Sequence, residues 1–219
     1  MSKKLKEFQK ILSTKEDLHE DLVPYLEDIG KGSFPMLRHP LVFSVPHFEQ
    51  LNSLTNKRYL YIKERVRVHF DKKEFSEYVF FHERPYRLQA FIDCHKLLPD
   101  MQYWKLLSEI WIDSENIWQN LPTWKKLLKS KRKHKHFFMN KYEINFLKKM
   151  PDTITVYRGC TSGLNEGGLS YTTLESKAIW FANRFGESKG KSKVIERQVQ
   201  KSEVFAYING RKENEIILI

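Results

Sequence analysis

The sequence predicts an α+β fold, with a helical N-terminal lobe over residues 1–150 and a compact β-rich core over residues 151–219. Three observations carry this. Apolar residues recur at helical spacing through much of the first 150 positions, short β-branched runs separated by glycine-bearing turns begin at Thr153, and a single helical stretch interrupts those runs. A chain of 219 residues is long enough to bury a real core as one large domain or two small lobes.

Taken in order, Leu5, Phe8, Ile11 and Leu12 predict helix within residues 3–30, with Ser13 and Thr14 capping a second helix from about Lys15. Gly30 to Ser33, followed by Pro35, ends that pattern, and prolines 35, 40 and 46 leave short extended pieces such as Leu41-Val42-Phe43. Tyr59 to Phe70 fits helix or strand, because Val66, Val68 and Phe70 alternate. Residues 71–98 read as helix with Phe75, Tyr78, Val79, Leu88, Phe91 and Ile92 inward, divided by Pro85. Tyr103 to Trp118 reads as an amphipathic helix with Trp104, Leu107, Trp111 and Trp118 along one side. Pro122 and Thr123 open a basic helix to residue 135, and Asn140 caps a helix to Lys149. The predicted strands are Ile154–Tyr157, Leu169–Thr172, Lys193–Val199, Val204–Ile208 and Glu215–Ile219. Between the second and third lies a helix, Leu174 to Phe185, whose stripe of Ala178, Phe181, Ala182 and Phe185 reads as core.

Composition narrows the function classes. Hydrophobic residues make up 41% and charged residues 30%, and no apolar run is long enough for a membrane helix. Met1 to Lys6 lacks the apolar segment of a signal peptide. Cys94 and Cys160 are far apart, which argues against a disulfide framework or a zinc site, so a cytoplasmic location and no metal are expected. Net charge is +11, of which +9 falls in residues 1–150, and residues 125–149 hold ten Lys or Arg against one acid, Glu143. Such a field attracts polyanions, or it serves as a solvated face that keeps the protein soluble. His134-x-His136 sits inside this tract and suits phosphate better than metal. The run His82 to Arg87 reads as a salt-bridged helix break.

Three short pieces in the last third carry polar groups on strand-like stretches. They are Val156-Tyr157-Arg158-Gly159-Cys160, Gly168-Leu169-Ser170-Tyr171-Thr172-Thr173 and Glu213-Asn214-Glu215 leading into Ile216 to Ile219. An arginine offers a planar fork for a diphosphate. Two carboxylates at spacing two share one face of a strand, where one can stabilise a cation forming at a sugar carbon and the other can take a proton. No GxGxxG, P-loop or zinc spacing competes with this reading.

In that order, and with the Ala-Ile-Trp-Phe-Ala helix and the closing pattern Ala206-Tyr207, Arg211, Glu213, Glu215, the motifs resemble those of the R-S-E class of mono-ADP-ribosyltransferases, the enzymes with the fold of cholera and clostridial toxins. The resemblance covers roughly residues 153–219 and departs from the family at Tyr171, where a tryptophan is frequent. It implies an ADP-ribosyltransferase-like core that takes NAD+ as co-substrate. Glu215 would bond the ribose and stabilise the oxocarbenium-like transition state, Glu213 would orient the acceptor, Arg158 and Gly159 would meet the diphosphate, and Ser170 and Thr172 would hold Glu215 and the ribose. It also implies an intracellular toxin or phage-defence effector with a neutralising antitoxin protein as partner. The acceptor is favoured to be an RNA base on the strength of the basic tract, where Trp124, Phe137, Phe138 and Tyr142 interleave with lysines. The alternatives are arginine side chains of a protein target, a catalytically inactive RNA-binding module and, last, a nuclease.

Overall fold

Among the described residues, two antiparallel sheets and six helices before the second sheet, with a seventh inside it, make an α+β fold. The computed structural model describes residues 16–30, 33–184 and 190–219. It divides into two units, Met1–Leu98 and Pro99–Ile219. The division expected at residue 150 therefore falls about 50 positions earlier, and the helices of residues 100–149 belong with the C-terminal sheet. Their aromatic side chains pack there: Phe138 meets Phe205 at 5.2 Å and Phe146 stacks on Tyr207 at 4.5 Å.

In the N-terminal unit, β1 (Leu26–Glu27), β2 (Met36–His39) and β3 (Val42–Pro46) form a three-stranded sheet in that order. Residues 16–30 contain no α-helix, contrary to the sequence expectation; the rest of that expectation, residues 3–15, lies outside the described residues. Side chains from α1 (Asn52–Asp71) take the place of helical hydrogen bonds. Asn52 donates to the Glu16 carbonyl, while Asn56 donates to the Asp17 carbonyl and accepts from the His19 amide. Pro24 then sits in the first turn of a single 3-10 turn, Val23–Tyr25. The ambiguous stretch around Tyr59–Phe70 is helical, and Tyr59 packs with Leu22, Leu37, Leu41 and Val42 as the local core. Helices α2 (Phe75–Phe80) and α3 (Arg87–Cys94) follow, separated by a 3-10 turn at Pro85, with Glu83 paired to Arg58 at 3.2 Å.

The C-terminal unit opens with α4 (Asp100–Asp113), α5 (Leu121–Leu128) and α6 (Lys141–Lys149). Both α4 and α5 stop short of their expected ends. Ser114 turns its hydroxyl back onto the Ile110 carbonyl and its own backbone becomes extended, so Trp118 lies beyond the helix. After Leu128 the lysine run has no apolar position to hold a helix against the core, and it folds back along α4 instead. Asp100 accepts from Arg132 and from the Lys133 amide, and Trp104 donates to the Lys133 carbonyl. Helix α6 begins in a capping box between Asn140 and Glu143, as its sequence predicts.

The five-stranded sheet uses β4 (Thr153–Thr161), β5 (Ser170–Thr172), β6 (Ser192–Gln200), β7 (Val204–Ile208) and β8 (Glu215–Leu218), with α7 (Glu175–Asn183) after β5. The order is β6-β4-β5-β8-β7. All five expected strands are present. The exposed edge, β6, is rich in Lys, Glu, Arg and Gln, which discourages further pairing. Ile154, Val156, Tyr171, Val199, Tyr207, Ile216 and Leu218 form the core beneath the sheet. Among the described residues no helix is long and apolar enough to cross a membrane.

Candidate functional site

β5 lies between β4 and β8, so adjacency alone brings the three sequence motifs to one place. Tyr157 pairs with Thr172, and Thr172 with Glu215. Arg158, Gly159, Ser170, Thr172, Glu213 and Glu215 all line one cleft of about 200 Å³.

Glu215 is the chemical centre of this cleft. It opens β8 in the middle of the sheet and is 3% exposed. Two neutral donors reach its carboxylate: the Trp111 indole Nε1, 3.1 Å from Oε1, and the Ser170 hydroxyl. Burial raises its pKa above the ordinary 4.5, while Ser170, Arg211 and Trp111 pull it back down. A buried carboxylate held by two neutral donors and near a cation is poised to meet positive charge on a ligand.

Glu213 reaches the cleft by a different route from the one expected. The strand begins only at Glu215, and Asn214 is left-handed at φ +47°. A turn, not strand alternation, aims the two carboxylates together. This turn is tied at several points. Tyr207 donates to Asn214 Oδ1 at 2.6 Å, the Asn214 amide donates to Asn209 Oδ1, and the Asn209 amide donates to buried Glu143. Glu213 itself pairs with Arg211 at 3.1 Å.

Thr172 serves the same turn. Its hydroxyl donates to the Glu213 carbonyl at 2.7 Å and accepts from the Leu174 amide. It therefore fixes the position of Glu213 and the entry to α7 more directly than it offers a group to a ligand.

Arg158 behaves as a clamp. Its guanidinium donates to the Ser170 carbonyl at 2.6 Å and twice to the Asn165 carbonyl, at 2.8 and 3.2 Å. It thereby closes the connection between β4 and β5. Burial lowers its pKa, yet a guanidinium stays charged at any working pH. Gly168 exists to fit this clamp, because a Cβ there would lie 2.0 Å from the guanidinium. Gly159 has a similar reason. A Cβ would lie 1.9 Å from the Ala178 carbonyl oxygen, so the glycine lets α7 seat directly on β4. Its expected role toward a cofactor is thus accompanied by a packing role that explains the residue type by itself.

No family model, curated protein or solved structure matches this chain. Sequence reasoning placed six of the site's residues and missed others. Trp111 was read as helix core, and Phe181 as part of a buried stripe; Ala178 and Ala182 are buried, Phe181 lines the cleft, and Phe185 lies outside the described residues. Glu115, Asn165 and Arg184 also line the cleft. The signal for Trp111 was its spacing with other tryptophans, which does not distinguish a packed ring from one whose N–H has a partner.

Elsewhere, Trp124 and Phe138 of the expected aromatic interleaving are core residues, 0% and 1% exposed. His134 and His136 stand with rings 6.0 Å apart, and no group of three metal-ligating side chains occurs among the described residues.

Proposed function

We propose that the protein is an NAD-dependent mono-ADP-ribosyltransferase with an ADP-ribosyltransferase-like core formed by β4 to β8. The observation that carries this reading is the buried Glu215 carboxylate, bonded by Trp111 and Ser170, beside Glu213 and next to the Arg158 clamp. The cleft volume is smaller than the ~300–1,000 Å³ of common ligand sites, and fits the nicotinamide-ribose end of NAD+ with the remainder outside it.

The chemistry follows from charge. NAD+ carries its positive charge on the nicotinamide ring, and a buried anion favours binding that end. As the bond between ribose C1′ and the ring nitrogen breaks, the electron pair leaves with neutral nicotinamide. Positive charge passes to C1′, where Glu215 stabilises it. An acceptor nucleophile then bonds to C1′, and its proton passes to Glu213. Ser170 and Trp111 hold Glu215 in its rotamer, and Arg158 holds the β5 backbone that presents Ser170. Arg184 and Arg211 at the rim add positive potential suited to the diphosphate.

The acceptor we favour is RNA, on the strength of the basic tract. The second reading, a protein arginine, is supported by Glu213, whose 3.1 Å pairing with Arg211 is the kind of contact a guanidinium acceptor would make. The test is incubation with labelled NAD+ and either total RNA or total cell protein, with Glu215→Gln alongside. Label moving to RNA and lost in the variant supports the reading. Neither transfer nor nicotinamide release sinks it. In cells, an enzyme of this kind acts as a toxin that needs a neutralising partner. Expression that leaves growth untouched counts against that part.

A further inference from the structure

The groove on the other side of the catalytic turn is larger than the cleft and belongs to no step above. It measures about 600 Å³ and is lined by Lys105, Glu109, His136, Phe137, Lys141 and Gly210 among others. Gly210 and Arg211 are consecutive residues of the β7–β8 turn, one lining the groove and the other the cleft. The groove therefore adjoins the turn that carries Glu213.

Its surroundings have a definite chemistry. Of the eleven charged residues in 125–149, the only acid, Glu143, is 3% exposed and is bonded to the Asn140 and Asn209 amides. Lys125, Lys126, Lys129, Lys131, Lys133, Lys141, Lys148 and Lys149 are all exposed, so the outward charge is of one sign. Aromatic rings stand among these cations. Lys105 Nζ lies 5.3 Å from the centroid of Phe137. On α6, Tyr142 is 60% exposed and Phe146 37%, one turn apart, with ring centroids 6.0 Å from each other at 30°. Phe146 in turn stacks on Tyr207 at 4.5 Å and 19°. The Tyr142–Phe146–Tyr207 ladder thus runs from solvent to the hydroxyl that holds Asn214 in the catalytic turn.

We propose that the groove and the exposed ladder of α6 form a docking surface for single-stranded RNA, with a base against Phe137, another on Tyr142, and phosphates on Lys105 and Lys141. Stacked rings interleaved with cations that outnumber the one exposed acid of the groove, Glu109, suit an unpaired polyanion with flat bases. A duplex hides its base faces and gives Tyr142 nothing to stack on. The proposal deepens the transferase reading by naming where its acceptor rests, and it stands or falls separately from that reading.

The experiment is fluorescence anisotropy of the full chain with a short, unstructured, dye-labelled RNA across a salt series, comparing Tyr142→Ala, the double variant Lys105→Ala/Lys141→Ala and, as comparator, Lys125→Ala/Lys126→Ala. Melting curves confirm that each is folded. Tyr142→Ala is expected to weaken binding about tenfold, within the range for loss of one stacked base. The Lys105/Lys141 variant is expected to flatten the slope of log K against log salt by about 1.4, at about 0.7 per phosphate contact on a single strand. Absence of salt-dependent RNA binding overturns the proposal. So does binding that the groove and ladder variants leave unchanged, or a preference for duplex RNA that Tyr142→Ala does not alter. The labelled-NAD+ assay separates the two readings. Groove-dependent RNA binding without any transfer retains the docking surface and removes the transferase. Transfer to protein arginine with no RNA binding does the reverse.

Discussion

Replacing Trp111 by Phe tests the centre of the proposed site. The change removes the indole N–H that lies 3.1 Å from Glu215 Oε1 and leaves most of the ring volume. A hydrogen bond to a charged group contributes about 1.5–3 kcal/mol. Its loss removes one of the contacts that lower the Glu215 pKa, so that pKa rises further. The proposed catalysis needs the carboxylate ionised, so the acid limb of kcat/KM for nicotinamide release should move to higher pH. Activity at high pH should recover more than activity at low pH. A general packing defect would lower both alike. Trp124→Phe is the control, because Trp124 sits edge-on to Trp111 at 5.0 Å and is equally buried. Both variants should lose about 1–3 kcal/mol of stability from incomplete filling. Only Trp111→Phe should shift the limb. An acid limb in its wild-type position in a folded Trp111→Phe protein refutes the idea that this indole holds the catalytic carboxylate.

Other outcomes follow from the same geometry. Glu215 has a folded pKa raised above 4.5, so its folded form binds more protons than its unfolded form between the two values, and stability falls as pH rises through that window. Glu215→Gln should therefore melt higher than wild type at neutral pH, with the difference vanishing at pH below 4.5, while transfer is lost; a lower neutral melting temperature contradicts this. Gly159→Ala places a methyl 1.9 Å from the Ala178 carbonyl oxygen and should destabilise by about 3 kcal/mol or more, read by denaturant midpoint. Thr172→Val leaves the part-buried Glu213 carbonyl without its hydroxyl donor and should cost about 1 kcal/mol, together with a drop in transfer, whereas Thr172→Ser should preserve both. Arg158→Lys should weaken the clamp on Asn165 and Ser170, because an ammonium lacks the fork that spans two carbonyls, and urea unfolding should show it.

The C-terminal sheet was legible because its strands are short β-branched runs cut by turns, and local signals suffice for that pattern. Val204–Ile208 matches to the residue, and the Asn140–Glu143 capping box announces α6. What the sequence obscured depended on distant partners. Residues 16–19 look helical but are held by asparagines almost forty positions away. The helices after Pro99 looked like part of an N-terminal lobe because composition changes at Thr153, whereas packing divides the chain at Leu98. The same cause hid Trp111 from the site: its partner lies 104 residues on. Glu213 lines the cleft for a reason other than the expected strand alternation, because it lies in a turn with Asn214 left-handed.

The strand order also governs how the protein is made. Of the strands among the described residues, β8 follows β4 to β7 in the chain, yet it lies between β5 and β7. Until it emerges, β6, β4 and β5 can pair while β7 has no strand beside it, so the sheet exists as two pieces. The residue that begins the joining strand is Glu215. Sheet closure and placement of the buried carboxylate in the cleft are therefore one event.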